Sequence, residues 1–501
     1  MNGTKLRQQF RRAVEPAGWA AVGLTGWLTI AGLAGMLLLP AAASAQPDYQ
    51  VHASPITSAP ADPAIAAALA QISEARIRKT IETLVGFGTR NSLSSMATDL
   101  PARQGATAGA DWIFAQLEAI SKDCGGCLEV KRDSFVADPK SGEGGQWAKR
   151  VPRATDMTNV YAILHGNDPA QAKRMYLVTG HYDTRNTDVL DDHGAAPGAN
   201  DDSTGVAVSL ECARVLSKLK LPASLVFVAV VGEEQGLLGS AHLAHLAKTE
   251  GWQLEGVLNN DIVGGNTTPG DTLQRKDVVR VFSESYPAAA TPDQLQKIRA
   301  LGQVDDAPSR QLARAMRDAA RTYLAGGANG SAFAPFLVSR PDRYLRGGDH
   351  TSFNKEGFAA VRLTEWREDF NHQHQNVRTE NGIQYGDLLQ FVDFAYVAKV
   401  AALNAATLAT LAASPGTPVD VKIDAKQLEN GTTLNWKAPA GAPAGFHYEL
   451  LWRETTAPDW QDMQPIPSDK EAITIPVSKD NVIFGLRTVD AAGHRSLVAT
   501  P

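Results

Sequence analysis

The stretch Leu225-Val-Phe-Val-Ala-Val-Val-Gly-Glu-Glu234 carries seven apolar residues, then a turn residue, then two acids. An uninterrupted apolar run of this length suits a strand covered on both faces, because an edge or half-exposed strand would alternate with polar residues. The chain repeats the pattern on either side. Met175-Tyr-Leu-Val-Thr-Gly-His-Tyr-Asp183 is an apolar strand ending in His-Tyr-Asp, and residues 254–262 form another that ends in Asn259-Asn-Asp261. Helical periodicity fills the intervals, over residues 204–219 and 240–248. Apolar strands alternating with helices predict an α/β fold, a mostly parallel mixed sheet sandwiched by helices.

Working outward, residues 62–85 and 107–121 read as helices, 128–135 and 159–164 as strands, and 359–363 as a further strand. Residues 387–412 place Leu389, Val392, Tyr396, Val400 and Leu403 on one helical face, which predicts packing on the sheet. Between them, residues 264–344 are polar and Pro-containing with one good helix at 309–323, and read as an insertion or lid. Ser414-Pro-Gly-Thr-Pro418 is a linker by composition. Beyond it the period shortens to strands at 419–423, 432–436, 448–453, 472–476 and 482–489, as in a β-sandwich. Thr433-Leu-Asn-Trp436, Tyr448-Glu-Leu-Leu-Trp-Arg453 and Leu486-Arg-Thr-Val-Asp490 resemble a fibronectin type III module. The expected division is therefore a 46–413 α/β domain and a 414–501 sandwich, the latter open to binding a surface or substrate.

The first 45 residues read as an export signal. Lys5, Arg7, Arg11 and Arg12 precede an uncharged stretch over residues 17–39, and Ala43-Ser-Ala45 is a cleavage pattern. The chain is thus expected in the periplasm or outside the cell. It would contact a membrane only if the signal stayed attached. A formal charge of −6 over 501 residues offers no footprint for nucleic acid. Three cysteines cannot staple a chain of this size; Cys124-Gly-Gly-Cys127 is expected to close a short disulfide, and Cys212 to be a buried small residue.

Chemistry concentrates where polar residues end the apolar strands. His181-Tyr-Asp183, Asn200-Asp-Asp202, Glu233-Glu234 and Asn260-Asp261 all fall at strand ends or helix starts on what the topology makes one edge of the sheet. So many acids with one imidazole repel unless cations neutralise them, and a mixed carboxylate–imidazole set suits zinc or a similar divalent ion.

In order, His181-Tyr-Asp183, Pro197-Gly-Ala-Asn-Asp-Asp-Ser-Thr-Gly205, Glu233-Glu-Gln-Gly-Leu-Leu-Gly-Ser240, Asn260-Asp261 and Gly348-Asp-His-Thr-Ser-Phe353 resemble the co-catalytic zinc aminopeptidases. That family also includes glutamate carboxypeptidases and glutaminyl cyclases. The resemblance spans about residues 65–412. It implies two divalent ions, most simply Zn2+, with Asp201 bridging them. His181 and Asp261 would complete one site, and Glu234 with a late histidine the other. It also implies Glu233 as general base, Asp183 as the group orienting His181, and a cis peptide bond between Asp201 and Asp202. The family supplies the late histidine with an acid four residues on. Here His372 is favoured, with Asn376 at that spacing, over His374. Arg346 is a candidate for a substrate carbonyl or carboxylate, and Glu365 for a free amine. The reading is an exported metallo-exopeptidase, foremost an aminopeptidase acting on peptides. Its rivals are a carboxypeptidase or dipeptidase anchored by Arg346, and a catalytically inactive binding protein on the same fold.

Overall fold

Alternate residues of each apolar strand face two different helical layers, which is why the runs are uninterrupted. A computed structural model describes residues 52–140, 149–326, 332–426 and 428–501; the expected signal at 1–45 lies outside these residues. In the strand Ser224–Val230, Leu225, Phe227 and Ala229 enter one core. That core is shared with the helices Glu74–Val85, Gly105–Asp123, Ser203–Leu216, Pro308–Tyr323 and Phe394–Ala413. Val226, Val228 and Val230 enter a second core, with Leu243, Ala244 and Ala247 of Leu238–Thr249 and Phe353 of His350–Lys355. Two buried faces on one strand are the physical content of a doubly covered sheet.

The sheet has eight strands in the order Leu128–Ala137, Thr155–Leu164, Ser224–Val230, Arg174–His181, Gln253–Asn260, Ala360–Thr364, Val278–Ser283, Ala334–Ser339. From Ser224–Val230 through Ala360–Thr364 the pairings are parallel, so four adjacent strands end on one edge. His181, Glu233, Asp261 and Glu365 each lie at or just past one of those ends. The helix Ser203–Leu216 sits tight on this edge. A Cβ on Gly180 would lie 2.4 Å from the Gly205 carbonyl carbon, and one on Gly205 would lie 2.2 Å from Asn260 O. Glycine at both positions brings the Asp201–Asp202 turn down over the strand ends.

Residues 264–344, expected as an insertion or lid, contribute two strands to the main sheet. Val278–Ser283 pairs antiparallel with Ala360–Thr364 and parallel with Ala334–Ser339, so the segment extends the main sheet. Leu312, Ala313 and Met316 of its helix are buried in the larger core. The strands are six residues long, and the outer one buries only Pro335 fully, so the apolar signal is weak. The disulfide Cys124–Cys127 forms as expected, and Cys212 is buried and free.

The C-terminal strands form two sheets around Trp436, Tyr448, Leu450, Trp452 and Phe484. The sequence boundaries miss two strands. Asp462–Pro467, broken by prolines, pairs with His447–Glu454, and the N-terminal Ser54–Pro55 pairs with Asp462–Pro467. A segment assigned by sequence to the α/β domain thus completes the sandwich sheet, and the described residues from His52 to Pro501 form one compact unit. Buried ions join the two parts. Asp306 takes Arg314 at 2.9 Å and Arg453 of the sandwich at 2.7 Å. Arg487 reaches Asp318 at 3.2 Å, and Trp460 donates to Gln311 at 3.2 Å. Removing one partner of a buried ion pair strands the other in low dielectric. Asp306→Ala strips the buried Arg453 of its carboxylate partner, leaves Arg314 with Asp305 alone at 2.9 Å, and is expected to lower unfolding stability by about 3–5 kcal/mol. Urea unfolding followed by tryptophan fluorescence measures it; a loss below about 1 kcal/mol is the value for an exposed pair and would refute a structural role for this junction.

Candidate metal centre

Asp201 holds its two carboxylate oxygens toward two different histidines. Oδ1 lies 3.1 Å from His181 Nε2, and Oδ2 lies 3.0 Å from His374 Nε2. On the His374 side, Glu234 Oε1 is 3.0 Å from the same nitrogen, so Asp201, Glu234 and His374 form one convergent group. On the other side His181, Asp261 and Glu233 converge, each offering an atom within 4.8 Å of the others, and Asp261 Oδ1 is 3.9 Å from His181 Nε2. Among the described residues, His181 Nε2 and Glu234 Oε1 are buried without a hydrogen-bond partner. Atoms that approach to 3 Å without hydrogen-bonding geometry, on side chains that cannot reach water, are arranged as ligands of a shared cation. The donor set therefore fits two divalent ions with Asp201 between them.

The loops that carry these groups are shaped by buried charge. The peptide bond Asp201–Asp202 is cis. Asp202 accepts from His181 N at 3.1 Å and Gly205 N at 2.8 Å, capping the helix Ser203–Leu216 and tying it to the strand Arg174–His181. Asp387 accepts from Asn200 N at 2.8 Å and Asp201 N at 2.7 Å, and burial pushes its carboxyl up to about 7. Arg90, fully buried, donates to the carbonyls of Leu84, Tyr182, Pro197 and Gly198 and to Ser203 Oγ. One guanidinium thus holds both ends of the 182–203 loop. Asp183 orients His181 through its backbone carbonyl, 3.0 Å from Nδ1. Its carboxylate accepts from Glu233 N at 3.2 Å and Glu234 N at 3.1 Å, fixing the acid pair. Burial first, and then the carboxylates of Asp261, Glu234 and Asp349, push the Glu233 carboxyl well above its ordinary range against the pull of His181.

Comparison with known proteins identifies the family. A model of "Peptidase family M28" matches residues 159–396. A "probable zinc metalloprotease" of Leptosphaeria maculans is 40% identical over 438 residues, covering 87% of this chain and 96% of the relative. A protein of Pyricularia oryzae with the same description is 41% identical over 451 residues, covering 88% and 84%. The chain belongs to peptidase family M28. It is a zinc metallopeptidase. Similar solved structures include the Legionella pneumophila LapA aminopeptidase, with a TM-score of 0.45 and 17% identity over 70% of this chain and 73% of that one. BSAP, a zinc aminopeptidase from Bacillus subtilis, gives a TM-score of 0.44 and 14% identity over 67% and 94%.

In this M28 peptidase His374, not His372, reaches the centre. His374 adopts a φ of +54°, a left-handed backbone conformation. His372 instead stacks on Phe391 at 3.5 Å between ring centroids, with Nδ1 3.8 Å from Asp369. Asn376 meets neither ring; its Oδ1 accepts from Thr187 N at 3.1 Å. Arg346 is exposed on a turn, its guanidinium without a partner among the described residues. Glu365 is buried in a narrow pocket beside Asp201, bonded to Asn200 Nδ2 and Asn266 N, each at 3.1 Å.

Two residues at the centre escape sequence reasoning, and only one of them carries a local mark. Arg362, on the apolar strand Ala360–Thr364, places Nη2 2.8 Å from Asp261 Oδ1. Arg185 donates from Nε to Glu234 Oε2 at 3.1 Å and sets Nη2 2.8 Å from His374 Nδ1. An arginine inside an apolar strand is the one signal that could have exposed Arg362.

The histidine assignment is directly testable. After dialysis against a chelator and reloading with one equivalent of zinc, His374→Ala is expected to weaken zinc retention at least about tenfold, while His372→Ala stays close to the parent. Elemental analysis of both variants decides it, and the reverse pattern would restore His372.

Proposed function

We propose that this zinc metallopeptidase is an exported aminopeptidase with a dinuclear centre. His181 and Asp261 would hold one ion and Glu234 and His374 the other, with Asp201 offering one carboxylate oxygen to each side. The observation that carries the aminopeptidase reading is the pocket beside Asp201. It is lined by Asn200, Glu365, Asp369 and Asp387 among others, and among the described residues Glu365 Oε1 is buried without a partner. Burial holds the Glu365 carboxyl up to about 8, although Asn200 and the Asn266 amide pull it down. An arriving α-ammonium would give that oxygen its missing donor and favour its charged form. An N-blocked peptide offers at most a neutral amide N–H and no charge to favour the ionised form.

The ions, when bound, activate a water near neutral pH and stabilise charge on the scissile carbonyl. Glu233 takes the water's proton and returns it to the departing amine. A carboxyl held above its ordinary range is the better proton carrier for both steps. The carboxypeptidase rival needs a free guanidinium at the centre. Arg346 lies on an exposed turn, and Arg185 is engaged by Glu234 and His374. The inactive-binder rival is disfavoured by a ligand set complete on both sides of Asp201.

Amino-acid anilides are expected to be hydrolysed and N-blocked dipeptides not, with activity lost in chelator and restored by zinc. Cleavage of the blocked substrate alone would transfer the assignment to a carboxypeptidase. Glu365→Gln should raise KM for free-amine substrates about tenfold with kcat changed far less. Glu233→Ala should cut kcat by about 10²–10⁴ while zinc content is kept; loss of the metal as well would make Glu233 a ligand.

A further inference from the structure

The helix Pro308–Tyr323, the end of Phe394–Ala413 and residues 493–498 of the sandwich enclose a pocket that shares no residue with the metal centre. It encloses about 610 Å3, mouth included. Its wall is apolar at Ala315, Leu411, Leu497 and Val498, and cationic at Arg487 and Arg495.

These two arginines are short of acceptors. Arg487 is buried, with Nε donating to Glu449 Oε2 at 2.7 Å and Nη1 to Asp318 Oδ2 at 3.2 Å; among the described residues its Nη2 has no partner. Arg495 donates from Nη2 to the same Glu449 carboxylate at 3.2 Å and from Nη1 to Thr57 O at 2.7 Å, while its Nε is buried and unpaired among those residues. A guanidinium carries only donors, and a buried donor on a charged group is costly to leave without an acceptor.

Charge is out of balance at the same place. Followed through its ion pairs, the network joins four arginines, Arg317, Arg321, Arg487 and Arg495, to three carboxylates, Asp318, Glu449 and Asp459. Among the described residues one positive charge is left over. Arg317 and Arg321 are the more exposed members and meet at Asp459, so water screens them. The inner pair has Glu449 in common, and the surplus falls on it. Burial, and then repulsion from Arg487, hold the Arg495 guanidinium below its ordinary value. Arg314 and His494 in the same wall each have two carboxylates of their own, Asp305 with Asp306 and Asp62 with Asp490.

We propose that this pocket is a second binding site, for a small aliphatic monocarboxylate. Its carboxylate lies on Arg487 and Arg495, and its alkyl body on Leu411, Leu497 and Val498. One negative charge balances the network, and two oxygens give the two unpaired donors their acceptors. A neutral molecule of the same shape leaves the charge uncompensated. The site joins the sandwich to a helix of the α/β domain, so an occupant stabilises that junction.

The probe is 4-methylpentanoate, with 4-methylpentanamide as its neutral match. Each is titrated by calorimetry into the zinc-loaded protein, and thermal unfolding is followed on the same samples. The carboxylate is expected to bind at one site and to raise the melting temperature with concentration, and the amide to bind at least about tenfold more weakly. Arg487→Gln should weaken the carboxylate at least about tenfold. Ala315→Leu narrows the pocket with every charge in place; it should have the same effect, and it carries the test if the Arg487 variant does not fold. Zinc content should match the parent in both variants. No binding to the parent at millimolar concentration overturns the proposal. Equal binding of the amide reduces the pocket to an apolar cavity. Binding that persists in both variants and is lost in chelator places the carboxylate on zinc and refutes the second site.

Discussion

Asp183, Asp201, Asp202, Glu234, Asp261 and Asp349 are each less than a tenth exposed, and all lie at one edge of one sheet. Two like charges 4 Å apart repel by about 4 kcal/mol at an effective dielectric of about 20. Such a cluster persists only where donors, cations or retained protons answer each carboxylate. The backbone answers first: Asp183 takes the amides of Glu233 and Glu234, and Asp202 those of His181 and Gly205. Arg362 answers Asp261. Asp349, without a hydrogen-bond partner among the described residues, is pushed up to about 7 by burial, which favours its neutral form. The loops after the strands take their shapes from these obligations. The oxygens of Asp201 and Glu234 left facing His181 and His374 are the remainder, and zinc suits that remainder.

How much of this was legible depends on the range of the interaction. Strands buried on both faces announce themselves in consecutive residues, so residues 175–179 and 225–231 are read within two residues of their true bounds. Acids at strand ends are equally local. The exchange of His372 for His374 is not, because it turns on one left-handed residue in an irregular loop where two histidines stand two apart. Arg90, Arg185 and Asp387 were invisible for another reason. Each acts on a segment distant in the chain, as Asp387 does on Asn200, and no periodicity records such a pairing.

The segment 264–344 shows the same limit at the scale of an element. Its strand Val278–Ser283 is apolar enough to be buried, yet it lies amid polar sequence, and its partner Ala334–Ser339 is half exposed at the end of the sheet. Only the pairing with Ala360–Thr364 reveals that both belong to the main sheet. That location also gives the sandwich a structural meaning that its own sequence does not disclose.

The helix Pro308–Tyr323 stands between the sandwich and the centre. One side carries Arg314, Asp318 and Gln311, which meet Arg453 through Asp306, Arg487 directly, and Trp460. At its start, Ser309 Oγ accepts from Ala360 N and from Asn354 Nδ2, on the strand that ends in Glu365 and on the helix that begins at His350. Buried ion pairs tolerate little displacement, because a shift that separates the charges leaves both desolvated and uncompensated. The sandwich is thereby a fixed buttress to the helix that positions the Glu365 strand.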